Sequence, residues 1–293
     1  MASLKAIRRR IASVRSTQQI TRAMKLVAAA RLRRAQDALV AARPYHDALA
    51  RVAASVLSGE TEATAPREEA RRAALLVVVA SDRGLCGGYN ANLLRRAEEE
   101  AARVRGDHLE VRLFAVGRKA LDYFRRTRAP LAGDRINNTP RLATYTLARD
   151  LARQVVNDFR WGEVVEAGMV YSSFRSALSQ RPTYERLLPL SPPKPPPGRE
   201  EEPRVGAAQY LIEPGFGELV PLVTQSYVEA AILHGLLEAE ASEHGARMTA
   251  MDSATSNAAE MIGRLTLEMN RARQATITRE LMDIVGGAEA LNA

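Results

Sequence analysis

The feature that most constrains this chain is a helical pattern that fills its C-terminal part. The pattern covers residues 218–286, and no proline interrupts it after Pro221. At about 1.5 Å per residue, such a helix would be a rod of roughly 100 Å, whereas a typical globular helix has about a dozen residues. The remaining chain is too short to cover that rod, so the sequence predicts that it lies against other proteins.

A second long helix is predicted at the N-terminus. Apolar residues recur at spacings of three and four over residues 4–14, which is the seam of a coiled coil. Ser3 suits the N-cap position. Pro44 marks a candidate kink, and the apolar pattern resumes beyond it to about Ser58. This helix, too, is longer than a compact domain requires.

The two long helices carry opposite net charge. The first has ten basic residues before its first acid, Asp37: Lys5, Arg8, Arg9, Arg10, Arg15, Arg22, Lys25, Arg31, Arg33 and Arg34. Between Glu218 and Asp283 the last helix carries ten acids against five arginines. These complementary charges predict an antiparallel coiled coil of the two helices. They also predict ion pairs between two clusters, which are Arg31, Arg33 and Arg34 on one helix and Glu238, Glu240 and Glu243 on the other.

Between the helices, strands alternate with helices, which predicts a Rossmann-like, mostly parallel α/β domain. The predicted strands are residues 75–79, 111–116, 164–171, 184–188 and 209–212, and the predicted helices are 90–104, 119–126 and 140–159. Residues 191–203 are rich in proline and predict an exposed loop. The predicted domains are therefore 1–58 and 214–293 for the coiled coil and 73–213 for the α/β domain.

A glycine-rich turn follows the first strand of this domain, at residues 81–90 (SDRGLCGGYN). Turns between a strand and a helix can bind phosphates, but this one has neither the G-x-G-x-x-G spacing nor the lysine of a P-loop. The alternative is a tight turn where the backbone approaches a neighbour closely. Its Cys86 fits either a reactive thiol near a helix N-terminus or a small buried apolar residue.

No catalytic, cofactor-binding or metal-binding constellation emerges from the sequence. The four histidines are scattered without metal-ligand spacing, and the runs of glutamate are typical of solvated surface. The single cysteine excludes an intramolecular disulfide and fits a reducing compartment. Without an apolar run of about 20 residues or a signal peptide, the chain is expected to be soluble or peripheral.

Three blocks of the sequence resemble the gamma subunit of bacterial F-type ATP synthases, the central rotor shaft. They are residues 7–36, residues 81–90, and residues 246–258 together with 270–290. The family's C-terminal signature places Ile-Thr-x-Glu before an acid and then Gly-Ala. It is met by Ile277, Thr278, Glu280, Asp283, Gly287 and Ala288.

The resemblance implies a non-catalytic subunit that couples proton flow through a membrane ring to ATP synthesis or hydrolysis at beta subunits. The implied partners are three alpha and three beta subunits, an epsilon subunit and the ring of c subunits. Neither nucleic acid nor direct membrane insertion is implied. The implied location is peripheral, on the cytoplasmic side of the bacterial plasma membrane.

The resemblance also implies which residues contact the beta subunits. The basic Arg8, Arg9 and Arg10 are available to the acidic lever loops of beta, which the first helix passes at Met24 and Lys25. Residues 83–90 form a short element below those levers and include Arg83 and Cys86. On the last helix the contact residues are Arg273, Gln274, Thr278 and Glu280, and Arg247 faces the lower part of the coiled coil.

Two other functions remain open from the residues alone. A basic coiled coil that binds nucleic acid or the ribosome would use the first helix and would bind with a steep salt dependence. A dinucleotide-dependent enzyme would use the α/β domain and would retain its cofactor after desalting.

Overall fold

The computed structural model describes residues 4–57, 70–135, 141–190 and 215–292. Five helices lie in these ranges: α1 (Leu4–Leu57), α2 (Tyr89–Gly106), α3 (Arg118–Arg126), α4 (Arg141–Arg160) and α5 (Phe216–Asn292). The same ranges contain five strands: β1 (Ala73–Val79), β2 (Glu110–Val116), β3 (Leu131–Arg135), β4 (Glu166–Phe174) and β5 (Gln180–Leu188). The chain divides into two compact units, one of Ala30–Ala246 and one that joins Met1–Ala29 to Arg247–Ala293.

The larger unit is built on one sheet with the strand order β3-β2-β1-β4-β5. The first four strands are parallel, and β5 pairs antiparallel with β4 as a hairpin at the edge. Helices α2, α3 and α4 connect successive parallel strands, as a parallel sheet requires. The predicted mostly parallel α/β sheet is therefore confirmed.

The strand β1 is buried on both of its faces, as its run of apolar residues predicts. Its odd-numbered residues, such as Leu75 and Val77, pack with α4, α5 and Leu39 of α1. Its even-numbered residues, such as Leu76 and Val78, pack with α2 and α3 on the opposite face. The sheet is thus the middle layer of a three-layer core.

Within this unit, α5 is buried nearly all round over residues 228–242. Ile232 and Leu236 lie fully inside the core. A Cβ on Gly235 would come within 2.6 Å of the Met169 side chain, so glycine lets the helix approach β4 closely. The buried Ser242 hydroxyl donates to the Ser172 carbonyl at 2.8 Å, which satisfies a polar group inside this contact.

One strand was not predicted from the sequence. The strand β3 was missed because LAGDR lacks an apolar run; it forms only by pairing with β2, across a register shift. As predicted, α1 continues beyond Pro44, and α5 includes Pro221. The predicted cap at Ser3, helix start at Pro140, proline-rich loop at 191–203 and strand at 209–212 lie outside the described residues.

An ion-pair network ties α2 to β4 and β5. The Glu166 carboxylate accepts hydrogen bonds from Tyr184 Oη at 2.6 Å and from Arg103 Nη2 at 2.5 Å. Burial alone would raise the pKa of Glu166, but the hydrogen bonds from Tyr184 and Arg103 outweigh burial and lower it. Arg103 also bonds Glu100, at 2.8 Å, and Asp107, at 3.0 Å. The network therefore fixes the Tyr184 ring in place.

We expect Gly168→Ala to destabilise the larger unit. The new Cβ would lie 2.2 Å from the Tyr184 ring, which the network holds, so the free energy of unfolding should fall by about 1–3 kcal/mol. Gly106→Ala is the matched control, because nothing lies within 4 Å of its added Cβ. Denaturant unfolding of both variants measures the difference, and equal stabilities would contradict the close approach.

Two histidines stack at the contact between α1 and α5 in the larger unit. The rings of His46 and His234 lie 4.6 Å apart, and both Nδ1 atoms are buried without a hydrogen-bond partner among the described residues. Burial lowers the pKa of both rings, and the charge of His234 lowers that of His46 further. The pKa of the nearby Glu238 is raised by burial, and the positive charges of Arg43 and His46 oppose this effect. Both residues lie further along α1 than the arginines that were predicted to pair with Glu238.

We expect this histidine pair to make stability depend on pH below about 6.5. The unfolded chain binds protons on these rings at a higher pH than the folded chain, so stability falls as the pH drops through this range. The double variant His46→Gln/His234→Gln should lose less melting temperature between pH 7.5 and 5.5. The raised pKa values of Glu185 and Glu238 act in the opposite direction, but both chains carry these groups. Parallel melting curves for the two chains would contradict the assignment.

Candidate functional site

The smaller unit is a pair of antiparallel helical segments. Lys25 Nζ lies 2.6 Å from Asp252 Oδ1, and the hydroxyls of Thr21 and Thr255 lie 2.8 Å apart. Nearer the start of α1, Ile7 and Ile11 form an apolar cluster with Leu265. Residues earlier in α1 therefore contact residues later in α5, so the two segments run in opposite directions. The predicted antiparallel coiled coil is therefore confirmed, with a narrow apolar seam.

The outer face of α1 in this unit is basic and exposed. Arg8, Arg9 and Arg10 are all exposed and flank the seam residue Ile7. Met24 and Lys25 are half-buried. Lys25 forms the ion pair with Asp252, in which the two side chains are 39% and 60% exposed, so the pair adds at most about 1 kcal/mol. The exposed Arg8, Arg9 and Arg10 are therefore accessible at the surface of this unit.

The far part of α5 exposes large apolar side chains. Ile277, Leu281, Met282, Ile284 and Val285 are each more than two-fifths exposed. Arg273, Gln274, Thr278 and Glu280, which the sequence predicted as contact residues, are also exposed on this stretch. Contiguous exposed apolar surface of this kind is typical of a protein-protein contact. No described residue of the chain therefore packs over this apolar stretch.

The glycine-rich turn is folded around its own side chains. Ser81 Oγ lies 2.7 Å from the Arg83 carbonyl oxygen and 3.0 Å from Asn90 Oδ1, and Asn90 Nδ2 donates to Cys86 Sγ at 3.2 Å. The Tyr89 hydroxyl donates to the Ala239 carbonyl at 3.2 Å, which anchors the turn to α5. These contacts favour the tight turn of the two alternatives left open by the sequence.

The turn presents two residues outward and buries a third. Leu85 is 62% exposed with a backbone φ of 64°, a conformation unusual for a residue with a side chain. Arg83 is exposed beside it. Cys86 is only 2% exposed and packs with Tyr89 and Ala246. The exposure of Leu85 was not predicted, although its position directly after Gly84 in a turn was a signal for it.

Two of the predicted contact residues are buried. Cys86 is enclosed by its own turn, and Arg247 is only 8% exposed. Over the ranges that the structure describes, no three acidic, histidine or cysteine side chains are grouped to hold a metal ion. No helix in these ranges has an apolar stretch long enough to cross a membrane.

Comparison with known proteins identifies the family. A family model described as ATP synthase matches residues 3–291. The chain is 46% identical over 296 residues to the ATP synthase gamma chain of Moorella thermoacetica, covering 99% of this chain and 100% of the relative. The gamma chain of Pelotomaculum thermopropionicum is 44% identical over 294 residues, with the same coverage. The chain belongs to the ATP synthase gamma chain family.

Solved structures share the fold of this gamma-family chain. The rotor of Euglena gracilis mitochondrial ATP synthase matches with a TM-score of 0.65 and 18% identity, covering 94% of this chain and 98% of the other. The central stalk and c-ring structure of Tetrahymena thermophila mitochondrial ATP synthase gives a TM-score of 0.59 at 24% identity, covering 80% and 99%. None of these matches supports the nucleic-acid-binding or dinucleotide-dependent alternatives.

For this gamma-family chain we expect the Cys86 thiol to react slowly while the chain is folded. The side chain is buried and held by Asn90 Nδ2, so a thiol reagent reaches it only after the turn opens. Thiol titration should give little reaction in buffer and one thiol per chain in denaturant. A Leu85→Cys/Cys86→Ala variant is the control, because its thiol would occupy the exposed position. Rapid labelling of Cys86 in the folded chain would contradict the placement.

Proposed function

We propose that this chain is the central rotor shaft of an F-type ATP synthase. It couples proton flow through a membrane ring of c subunits to conformational change at the beta subunits, where ATP is made or hydrolysed. The shaft itself is non-catalytic. Its partners are three alpha and three beta subunits, an epsilon subunit and the c ring, and it works as a peripheral protein on the cytoplasmic side of the bacterial plasma membrane.

The observation that carries this proposal is the exposed apolar stretch of α5 in a chain that matches gamma chains over its full length. Leu281, Met282, Ile284 and Val285 are each more than half exposed. Burying such side chains contributes about 25 cal/mol per Å² of apolar area, so they favour a surrounding protein surface. The likeness to ATP synthase gamma chains of 44–46% identity supports the further proposal that this surface is a ring of alpha and beta subunits.

A shaft can bias three surrounding sites only if it contacts them differently. A ligand or surface with equal affinity for two states shifts neither population. The faces of the helical pair differ in chemistry, because Arg8, Arg9 and Arg10 are exposed on α1 whereas α5 exposes apolar residues such as Ile277. Each beta subunit would meet a different face at a given angle. By reciprocity, nucleotide binding at beta would then favour particular angles.

The proposed contacts divide between the two helices and the turn. On α1 they are Arg8, Arg9 and Arg10, followed by Met24 and Lys25. On α5 they are Arg273, Gln274, Thr278 and Glu280. On the turn we propose Arg83 with its exposed neighbour Leu85, whereas the buried Cys86 and Arg247 hold the contact elements in position.

The proposed division of labour follows the predicted domains. Residues 1–58 and 214–293 form the shaft, and residues 73–213 form the foot that meets epsilon and the c ring. The three-layer core around β1 supports this role, because a well-packed foot transmits torque to α5 without deforming.

Mixing the purified chain with alpha and beta subunits tests the proposal directly. We expect a stable complex with ATPase activity, and ATP-driven proton pumping once epsilon and the membrane sector are added. The triple variant Arg8→Glu/Arg9→Glu/Arg10→Glu should weaken assembly or torque, because it reverses the charge that faces acidic loops of beta.

A control variant that reverses three arginines elsewhere on the chain separates the effect of the α1 position from the effect of the lower net charge. The control variant Arg95→Glu/Arg149→Glu/Arg153→Glu changes three exposed arginines of α2 and α4, and it should assemble normally. Coupled pumping at the unmodified rate by the α1 variant would refute the basic contact. Failure of the unmodified chain to bind alpha and beta would refute the rotor function itself.

A further inference from the structure

The amino-terminal edge of the sheet carries basic turns and an exposed indole that are not among the proposed beta contacts. Four turns lie there side by side, because the parallel strands β3, β2, β1 and β4 all begin at this edge. Backbone hydrogen bonds join them: Leu113 N to Pro130 O at 2.9 Å, Glu110 N to Arg72 O at 2.7 Å, and Arg71 N to Gly162 O at 2.7 Å. With strands about 4.8 Å apart, the edge spans about 14 Å.

The only tryptophan of the sequence lies at this edge. Trp161 follows α4 and is 73% exposed. An indole is a large apolar ring with one polar N–H. Its exposure leaves in water a large apolar area that could otherwise be buried. Tryptophan with such exposure is typical of contact surfaces and of membrane interfaces.

Several arginines of this edge form no ion pair with the described carboxylates, which pair with other arginines. Asp107 pairs with Arg103 at 3.0 Å, and Glu110 pairs with Arg71 at 2.7 Å. Glu163 lies 3.5 Å from Arg112. Other arginines are exposed at the edge and form no ion pair with the described residues: Arg72, Arg105, Arg125, Arg128 and Arg160. Among the described residues, the edge therefore carries more positive than negative charge.

The helices α2, α3 and α4 each end at this edge with a residue in a backbone conformation that favours glycine. Each helix ends in the same pattern of closing hydrogen bonds, with His108, Arg128 and Gly162 in the left-handed region at φ of 58°, 52° and 75°. Glycine adopts this conformation without steric cost. Two of the three equivalent positions nevertheless carry histidine and arginine.

Helix dipoles explain only part of this composition. Cations in the last turn of a helix stabilise its negative end, which accounts for Arg105, Arg125 and Arg160. Arg72 precedes a strand, and Arg128 lies beyond the helix in a strained conformation. The exposure of Trp161 has no such explanation. A ligand outside this unit accounts for all three.

We propose that this edge docks on a membrane surface that contains anionic lipid headgroups. Exposed, unpaired arginines attract such a surface without requiring a fixed array of partner charges, and an indole beside them inserts at the headgroup level. An acidic protein surface is the alternative occupant, and the vesicle experiment below distinguishes the two. The inference rests on the proposed function only in placing the foot beside a membrane.

Trp161 makes the test specific, because it is the only tryptophan of the chain. The full-length chain is mixed with vesicles of phosphatidylcholine alone or of phosphatidylcholine with phosphatidylglycerol. We expect a blue shift of tryptophan emission, and quenching by brominated lipid, with the anionic vesicles only. Added salt should reverse the shift. Binding through the basic helix α1 would leave the emission unchanged.

Two variants and one control locate the charge. Arg105→Gln/Arg128→Gln/Arg160→Gln should weaken vesicle binding measured by the emission shift, by about fivefold for each arginine removed. Arg118→Gln/Lys119→Gln/Arg175→Gln removes the same charge from the opposite edge of the sheet and should bind normally. The variant His108→Gly/Arg128→Gly should be more stable to heat yet bind more weakly, which a purely structural role does not predict.

Three outcomes would overturn the inference. The chain could sediment with anionic vesicles while Trp161 emission stays unchanged, or the shift could be as large with neutral vesicles. Emission could also shift only when other ATP synthase subunits are added, in which case the occupant is a protein. Assembly with alpha and beta is measured in a separate experiment, so failure of the vesicle test does not decide the proposed rotor function.

Discussion

The interaction on which the larger unit depends is the close packing of α5 against the face of β4 and β1. Over residues 228–242 the helix is buried nearly all round, with the sheet on one side and α1 on another. Gly235 permits the approach, and the Ser242 hydroxyl satisfies the Ser172 carbonyl within it. Apolar burial on this scale is the dominant stabilising contribution in a folded domain. The same packing brings Ala239 to the Tyr89 hydroxyl, so the position of the glycine-rich turn also follows from it.

The helices are under a different constraint in the smaller unit. Its apolar seam is narrow, with Ile7, Ile11 and Leu265 as its buried cluster. Between the two helices, an exposed ion pair and a threonine contact add little to its stability. Helices with a narrow seam and broad exposed faces are stabilised by what surrounds them, which is the situation expected of a shaft inside a ring of subunits. The proposed contact surfaces are the basic outer face of α1 and the apolar end of α5.

Much of this fold could be predicted from the sequence, because each signal was local. The apolar run of β1 indicated a strand buried on both faces, and the heptad spacing at Ile7 and Ile11 indicated the seam. The helix bounds agree within a few residues. The strand β3 could not be predicted, since LAGDR becomes a strand only by pairing with β2. Leu85 was missed for a similar reason, because its exposure results from the turn that Ser81 and Asn90 close around Cys86.

The two long terminal helices, the α/β domain between them and the blocks shared with gamma chains could be identified from the sequence, because periodicity and motif spacing are properties of neighbouring residues. Which charged and apolar residues remain exposed follows from the tertiary fold alone. It placed Lys25 on Asp252 and buried Cys86 and Arg247. It also gathered the arginines that precede four separate strands along one edge beside Trp161. Burial and charge pairing join residues far apart in sequence, so no local pattern specifies them.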